Sequence, residues 1–121
     1  MEDNNLKIKK RLIAINDKTY ILNISYNKES LTISIILDDV LIPEIYKMNY
    51  SKSDFQNKSR YFLLFDNLEI IALELYRLIE SNKYKCEIAE NQLIITFILD
   101  IVNIDNFILN IPKKEEIDPP L

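Results

Sequence analysis

The chain has 121 residues, a formal net charge of −4 and a pI near 4.9, with 48% apolar and 28% charged residues. It reads as one globular chain whose acidity disfavours a general affinity for nucleic acid. It contains no glycine and no histidine, which excludes phosphate-cradling glycine loops, the nucleophile elbow, imidazole general bases and His-ligated zinc. The single cysteine, Cys86, excludes an intramolecular disulfide; with a polar, acidic start at Met1 to Asn5 and no apolar run of membrane-spanning length, the expected home is cytoplasmic, with nuclear or cytoskeletal sites also open.

The first third of the chain alternates with period two. Leu12 to Ile15 reads as a strand that reaches the next one through Asn16 and Asp17. Tyr20, Leu22, Ile24 and Tyr26 then share a face, as do Leu31, Ile33, Ile35 and Leu37, with Asn27 to Ser30 as the turn between them. Asn and Asp tolerate the left-handed region best after glycine, so in this chain they are the available hairpin residues. A fourth strand, Glu44 to Tyr50, follows Pro43 and places Tyr46, Met48 and Tyr50 on one side.

The period then changes. Ser51 with Asp54 resembles a capping box, and Tyr50 is placed to staple Phe55, so a helix starts here. A second start is expected at Asp66, with Glu69 at the third helical position and Phe65 meeting Ile70. Two helix starts this close predict a helix–turn–helix hairpin. In the second helix Leu68, Ile71, Ala72, Leu75, Leu78 and Ile79 fill an arc about 120° wide that faces the sheet. Asn82 is placed for the left-handed cap that glycine would usually supply.

Alternation resumes with Tyr84, Cys86 and Ile88, then Leu93, Ile95, Phe97 and Leu99, then Phe107, Leu109 and Ile111. Asn91 marks one turn and Asn103 to Asn106 the next. The elements predict a single α+β domain over residues 1–111: a mostly antiparallel seven-stranded β-sandwich or rolled sheet, with the helical hairpin inserted between strands 4 and 5. Residues 112–121, charged and ending in prolines, read as a disordered tail or linker.

Few residues advertise chemistry. Cys86 lies among inward-facing residues, where a buried thiol acts as a small hydrophobe. Asp38, Asp39 and Glu44 lack the ligand spacing of a calcium loop, and Asp100 and Asp105 fall at strand ends and turns. No cofactor or metal is implied, and the chain is expected not to be an enzyme. Lys7, Lys9, Lys10 and Arg11 could touch phosphates, but they read better as a charged edge strand protected from self-association. A second stripe on the long helix, Ile70, Leu73 and Tyr76, points away from the sheet. Either the first helix covers it with Phe55, Phe62 and Leu63, or part of it stays exposed to receive a partner.

Three meandering strands, a fourth strand, a helical hairpin and three more strands form an order that resembles the head domains of the centriolar cartwheel assembly protein and of the end-joining scaffold proteins. The stretch from Ser53-Asp-Phe-Gln through Tyr61-Phe-Leu-Leu-Phe-Asp-Asn-Leu-Glu69 also looks like a cassette of Asn- and Lys-rich proteins. The resemblance spans residues 10–111 as a pattern of elements. It implies a non-catalytic scaffold head, of a cytoskeletal (centriole- or cilium-like) or DNA-repair assembly, that docks onto another protein, a second copy of itself as a homodimer included. Such heads usually continue into a coiled coil, and no heptads follow here. The expected contacts are Ile70, Leu73, Tyr76, Phe62 and Phe65, with neither nucleic acid nor membrane as partner. The competing expectation is a small acidic inhibitor, encoded by a virus or mobile element, of a nucleic-acid-handling enzyme.

Overall fold

The computed structural model describes residues 7–37 and 44–114, and the side chains from Lys10 onward. The described residues form an α+β structure of seven antiparallel strands in two sheets, with two α-helices. The strands are β1 (Lys7–Ile15), β2 (Lys18–Tyr26), β3 (Leu31–Leu37), β4 (Glu44–Tyr50), β5 (Tyr84–Ala89), β6 (Gln92–Phe97) and β7 (Phe107–Pro112). Between β4 and β5 the chain forms α1 (Lys52–Lys58), a 3-10 turn (Arg60–Leu64) and α2 (Leu68–Glu80). The first sheet has the order β1-β2-β3-β4 and the second β5-β6-β7, so each is a meander.

The turns show how a chain without glycine bends. Asn16 and Asp17 both have positive φ, at 53° and 67°, and join Ile15 to Lys18 as a two-residue hairpin. The Asn27 side chain accepts from the backbone N–H groups of Glu29 and Ser30 and closes the second turn. Asn82, at φ 59°, ends α2 in a Schellman motif: Lys83 N–H donates to Leu78 O and Asn82 N–H to Ile79 O. The turn expected at Asn91 joins β5 to β6, with Glu90 as its left-handed residue at φ 55°. A Cβ in that region costs about 1–2 kcal/mol, partly offset by the stiffer unfolded chain. Glu90→Gly is therefore expected to stabilise the fold by about 0.5–1 kcal/mol, read as a rise in the thermal midpoint.

The inner face of the first sheet carries the expected alternation, with Leu22, Ile24, Leu31, Ile33 and Ile35 all at 1% exposure or less. In β4, Tyr46 and Tyr50 are buried but Met48 is exposed. The strand expected from Leu12 begins earlier: β1 pairs with β2 from Lys7, so the basic run lies within an edge strand. On the outer face the register lines up Leu12, Ile21, Ile36 and Ile45 as an apolar row across all four strands.

α2 packs on β2 and β6, and its whole predicted stripe is buried in one core with both sheets. The helical hairpin, however, is shorter and more broken than expected. The Ser51–Asp54 capping box and the Tyr50–Phe55 staple, with ring centroids 5.2 Å apart, start α1 as read from sequence. The helix ends at Lys58, because Ser59 turns extended and its hydroxyl accepts from Tyr61 N–H to start the 3-10 turn. Asn67, not Asp66, caps α2, accepting from Ile70 N–H at 3.0 Å. Both residues are good caps; the choice follows from the 3-10 turn, which keeps residues 60–64 and delays the next helix.

The first residues of the expected tail fall among the described ones. Pro112 closes β7, Lys113 bridges to Tyr46 and Lys114 N–H donates to Ile45 O at 2.7 Å, joining the second sheet to β4. Residues 115–121 lie outside the described residues, as do Asp38 and Asp39. No helix among the described residues is long and apolar enough to cross a membrane.

Candidate functional site: the second face of the long helix

The residues left open on α2 define the site. With one stripe sunk into the core, the other carries Ile70, Leu73, Glu74 and Arg77 at i, i+3, i+4 and i+7. Ile70 is 39% and Leu73 43% exposed, so α1 does not cover them. The helix that would have lain over them stops at Lys58, and the 3-10 turn sends Phe62 into the core instead. The turn buries Tyr61 and Phe62, its C-cap Phe65 packs half-buried against the core, and Leu63 and Leu64 are left 62% and 73% exposed.

The five expected contact residues therefore separate. Ile70 and Leu73 are at the surface. Tyr76 is half-buried, its hydroxyl donating to Lys10 O of β1 at 3.2 Å. Phe65 is half-buried against the core, edge-on to Tyr61 at 5.2 Å. Phe62 is fully buried among Phe55, Tyr61, Phe65 and Phe107, which removes it from any surface. Sequence reasoning missed Leu63 and Leu64. The signal was the unbroken apolar run Tyr61-Phe-Leu-Leu-Phe65, since five consecutive apolar residues in one turn cannot all face one core.

Beside the apolar residues sits a polar clasp. Arg77 grips Glu74 with both forks, Nε to Oε1 at 2.8 Å and Nη2 to Oε2 at 2.6 Å, and the Tyr61 hydroxyl donates to Glu74. Burial opposes the charge on Glu74, but the hydrogen bonds from Arg77 and Tyr61 prevail and hold its carboxyl below the usual range. Burial, and then the hydrogen bond to Glu74, push the Tyr61 phenol up to about 12. The clasp ties the 3-10 turn to α2 and thereby fixes Leu63 and Leu64 relative to Ile70 and Leu73.

Asp100, at φ 56°, pairs with Lys83 at 2.6 Å across the strand end, both side chains being exposed. Burial pushes the Cys86 thiol up to about 12, so it is protonated near neutrality. Cys86 lines an open groove of about 550 Å³ with Ala14, Tyr84, Glu87 and neighbours. Among the described residues no cluster of three or more His, Cys, Asp or Glu side chains could hold a metal ion. No protein-family model and no curated protein matches the chain.

Proposed function

We propose that this chain is a non-catalytic protein-interaction module, a scaffold head that docks another protein, a second copy of itself included, through Ile70 and Leu73 of α2 with Leu63 and Leu64 of the preceding turn. In this reading the two sheets close on each other as one sandwich or roll, with the helical segment inserted between its halves. That is the plan of the cartwheel and end-joining heads which the element order resembles. One observation carries the proposal: a helix whose inner stripe is fully buried keeps two large apolar side chains open on its other face, next to a rigid ionic clasp. Apolar centres rimmed by fixed polar groups are the anatomy of protein interfaces, where an Arg or aromatic anchor and a few apolar residues supply most of the energy.

The test is Leu73→Asp, with Leu63→Asp as a second variant, in light scattering of the purified chain and in capture from native lysate. Both positions are exposed, so folding survives. A charge set into a desolvated contact is expected to weaken self-association or capture of one defined partner at least ten-fold. Unchanged association by both variants, with thermal midpoints intact, overturns the proposal.

A further inference from the structure

β1 is one outer strand of its sheet and β5 one of the other, and among the described residues no strand pairs with either of these edges. Hairpin geometry says which backbone groups these edges offer. In an antiparallel ladder alternate residues bond to the partner strand, and the pair closing a two-residue hairpin bonds mutually. Ile15 and Lys18 close the first hairpin, so Ile13 and Arg11 bond to β2, while Lys10, Leu12 and Ala14 turn their N–H and C=O groups outward. The hydrogen bond from Tyr76 to Lys10 O agrees with this phase and marks one end of the open stretch. By the same logic from Ala89 and Gln92, the outward residues of β5 are Tyr84, Cys86 and Ile88.

The two edges are neighbours. Ala14 of β1 lines the same 550 Å³ groove as Tyr84, Lys85, Cys86 and Glu87 of β5 and Ile94 and Thr96 of β6. Leu12, the end of the apolar row on the outer face, is 66% exposed beside it. Charge selects the occupant. β1 carries Lys7, Lys9, Lys10 and Arg11 and no acid, in a chain whose net charge is −4, and Lys10 and Lys85 are exposed. A second copy adding through its own β1 would set these cations against one another, and like charges directly opposite destabilise a sheet.

We propose that this edge receives an extended acidic segment of another protein, which adds beside β1 as a fifth strand at Leu12 and Ala14 and lies in the groove against β5. Its backbone takes up the outward groups of Leu12 and Ala14. Apolar side chains on one face continue the row Leu12, Ile21, Ile36 and Ile45, and its carboxylates meet Lys10, Arg11 and Lys85. Strand addition of this kind draws affinity from main-chain hydrogen bonds and selectivity from side chains at alternate positions. This surface is separate from the α2 face, and either can operate without the other.

The experiment uses the full chain and two fluorescein-labelled peptides of equal length, one alternating valine or threonine with glutamate and the other with lysine in place of glutamate. The glutamate peptide is expected to bind at least ten-fold tighter, to weaken with added salt, and to slow amide exchange at Leu12 and Ala14. Leu12→Pro removes an outward N–H and the apolar side chain beside it at an edge, a position where proline is tolerated. It is expected to keep the fold and lose binding ten-fold or more. Lys10→Glu with Arg11→Glu is expected to reverse the peptide preference, and Leu73→Asp to leave it unchanged. Equal binding of the two peptides, no binding of either, full binding by a folded Leu12→Pro, or amide protection confined to α2 overturns the inference. So does self-association of the chain that itself protects Leu12 and Ala14.

Discussion

Phe62→Ala is expected to destabilise the chain by about 3–5 kcal/mol. The ring is fully buried and stands at the meeting point of Phe55 at 5.3 Å, Tyr61 at 5.3 Å, Phe65 at 5.9 Å and Phe107 at 4.6 Å. It thereby joins α1, the 3-10 turn and β7. Truncation leaves a cavity in a place where four other rings cannot close in together, and each lost aromatic pair adds roughly 0.5–1.5 kcal/mol to the area term. Against a total stability of about 5–15 kcal/mol for a domain of this kind, the variant stands near its unfolding limit. Urea unfolding should show a lower midpoint with an unchanged slope, and Phe62→Leu should recover most of the loss. A cost under about 1 kcal/mol would mean that the ring is not in the core; weakened partner binding at full stability would return it to the interface.

The second large effect is alkaline unfolding. Tyr46, Tyr50 and Tyr61 are raised from 10.0 to about 12, and Cys86 from 9.0 to about 12, in every case by burial first. Hydrogen bonds to Glu44 and Glu74 add to the rise at Tyr46 and Tyr61, while Tyr20, Tyr26 and Tyr84 are shifted in the same direction. These groups hold their protons more tightly in the folded chain than in the unfolded one, so between the two values the folded state binds more protons. Their stabilisation is complete below the unfolded values and lost as pH rises through the window from 9.0 to about 12. Urea midpoints should stay level up to the start of that window and then fall steeply, with tyrosinate absorbance appearing as the fold is lost. Tyr50→Phe is the informative control. The Tyr50 hydroxyl is buried without a hydrogen-bond partner, so its removal should cost almost nothing near neutrality and flatten the alkaline loss. A level profile throughout, or tyrosinate forming while the fold persists, would contradict this account.

Much of the fold was legible because local rules and the global structure agree. Period-two runs marked strands, the Ser51–Asp54 box marked the start of α1, and Asn16, Asp17 and Asn82 take the left-handed conformation where a chain without glycine has few alternatives. The failures share a cause. Helical spacing carries the first helix on through Phe62 and Leu63, but a 3-10 turn buries Tyr61 and Phe62 there and leaves Leu63 and Leu64 exposed. Asn67 displaced Asp66 as the cap. The intrinsic preferences of the two are close, and neighbouring packing decided. Of the candidate site, Ile70 and Leu73 followed from helical geometry, whereas Leu63 and Leu64 depended on where α1 ended.

Two things were therefore determined by the order of residues alone: which segments alternate as strands, and which stripe of α2 is apolar, since both follow from the angle between successive side chains. Tertiary structure decided what those segments meet. Only strand register aligns Leu12, Ile21, Ile36 and Ile45, because each of them interrupts the pattern of its own strand and none reveals its neighbours. Only the packing of Phe62 leaves the second face of α2 open, and only the order of strands makes β1 and β5 edges. A period is a property of a few consecutive residues, whereas exposure depends on which distant segments arrive to cover them.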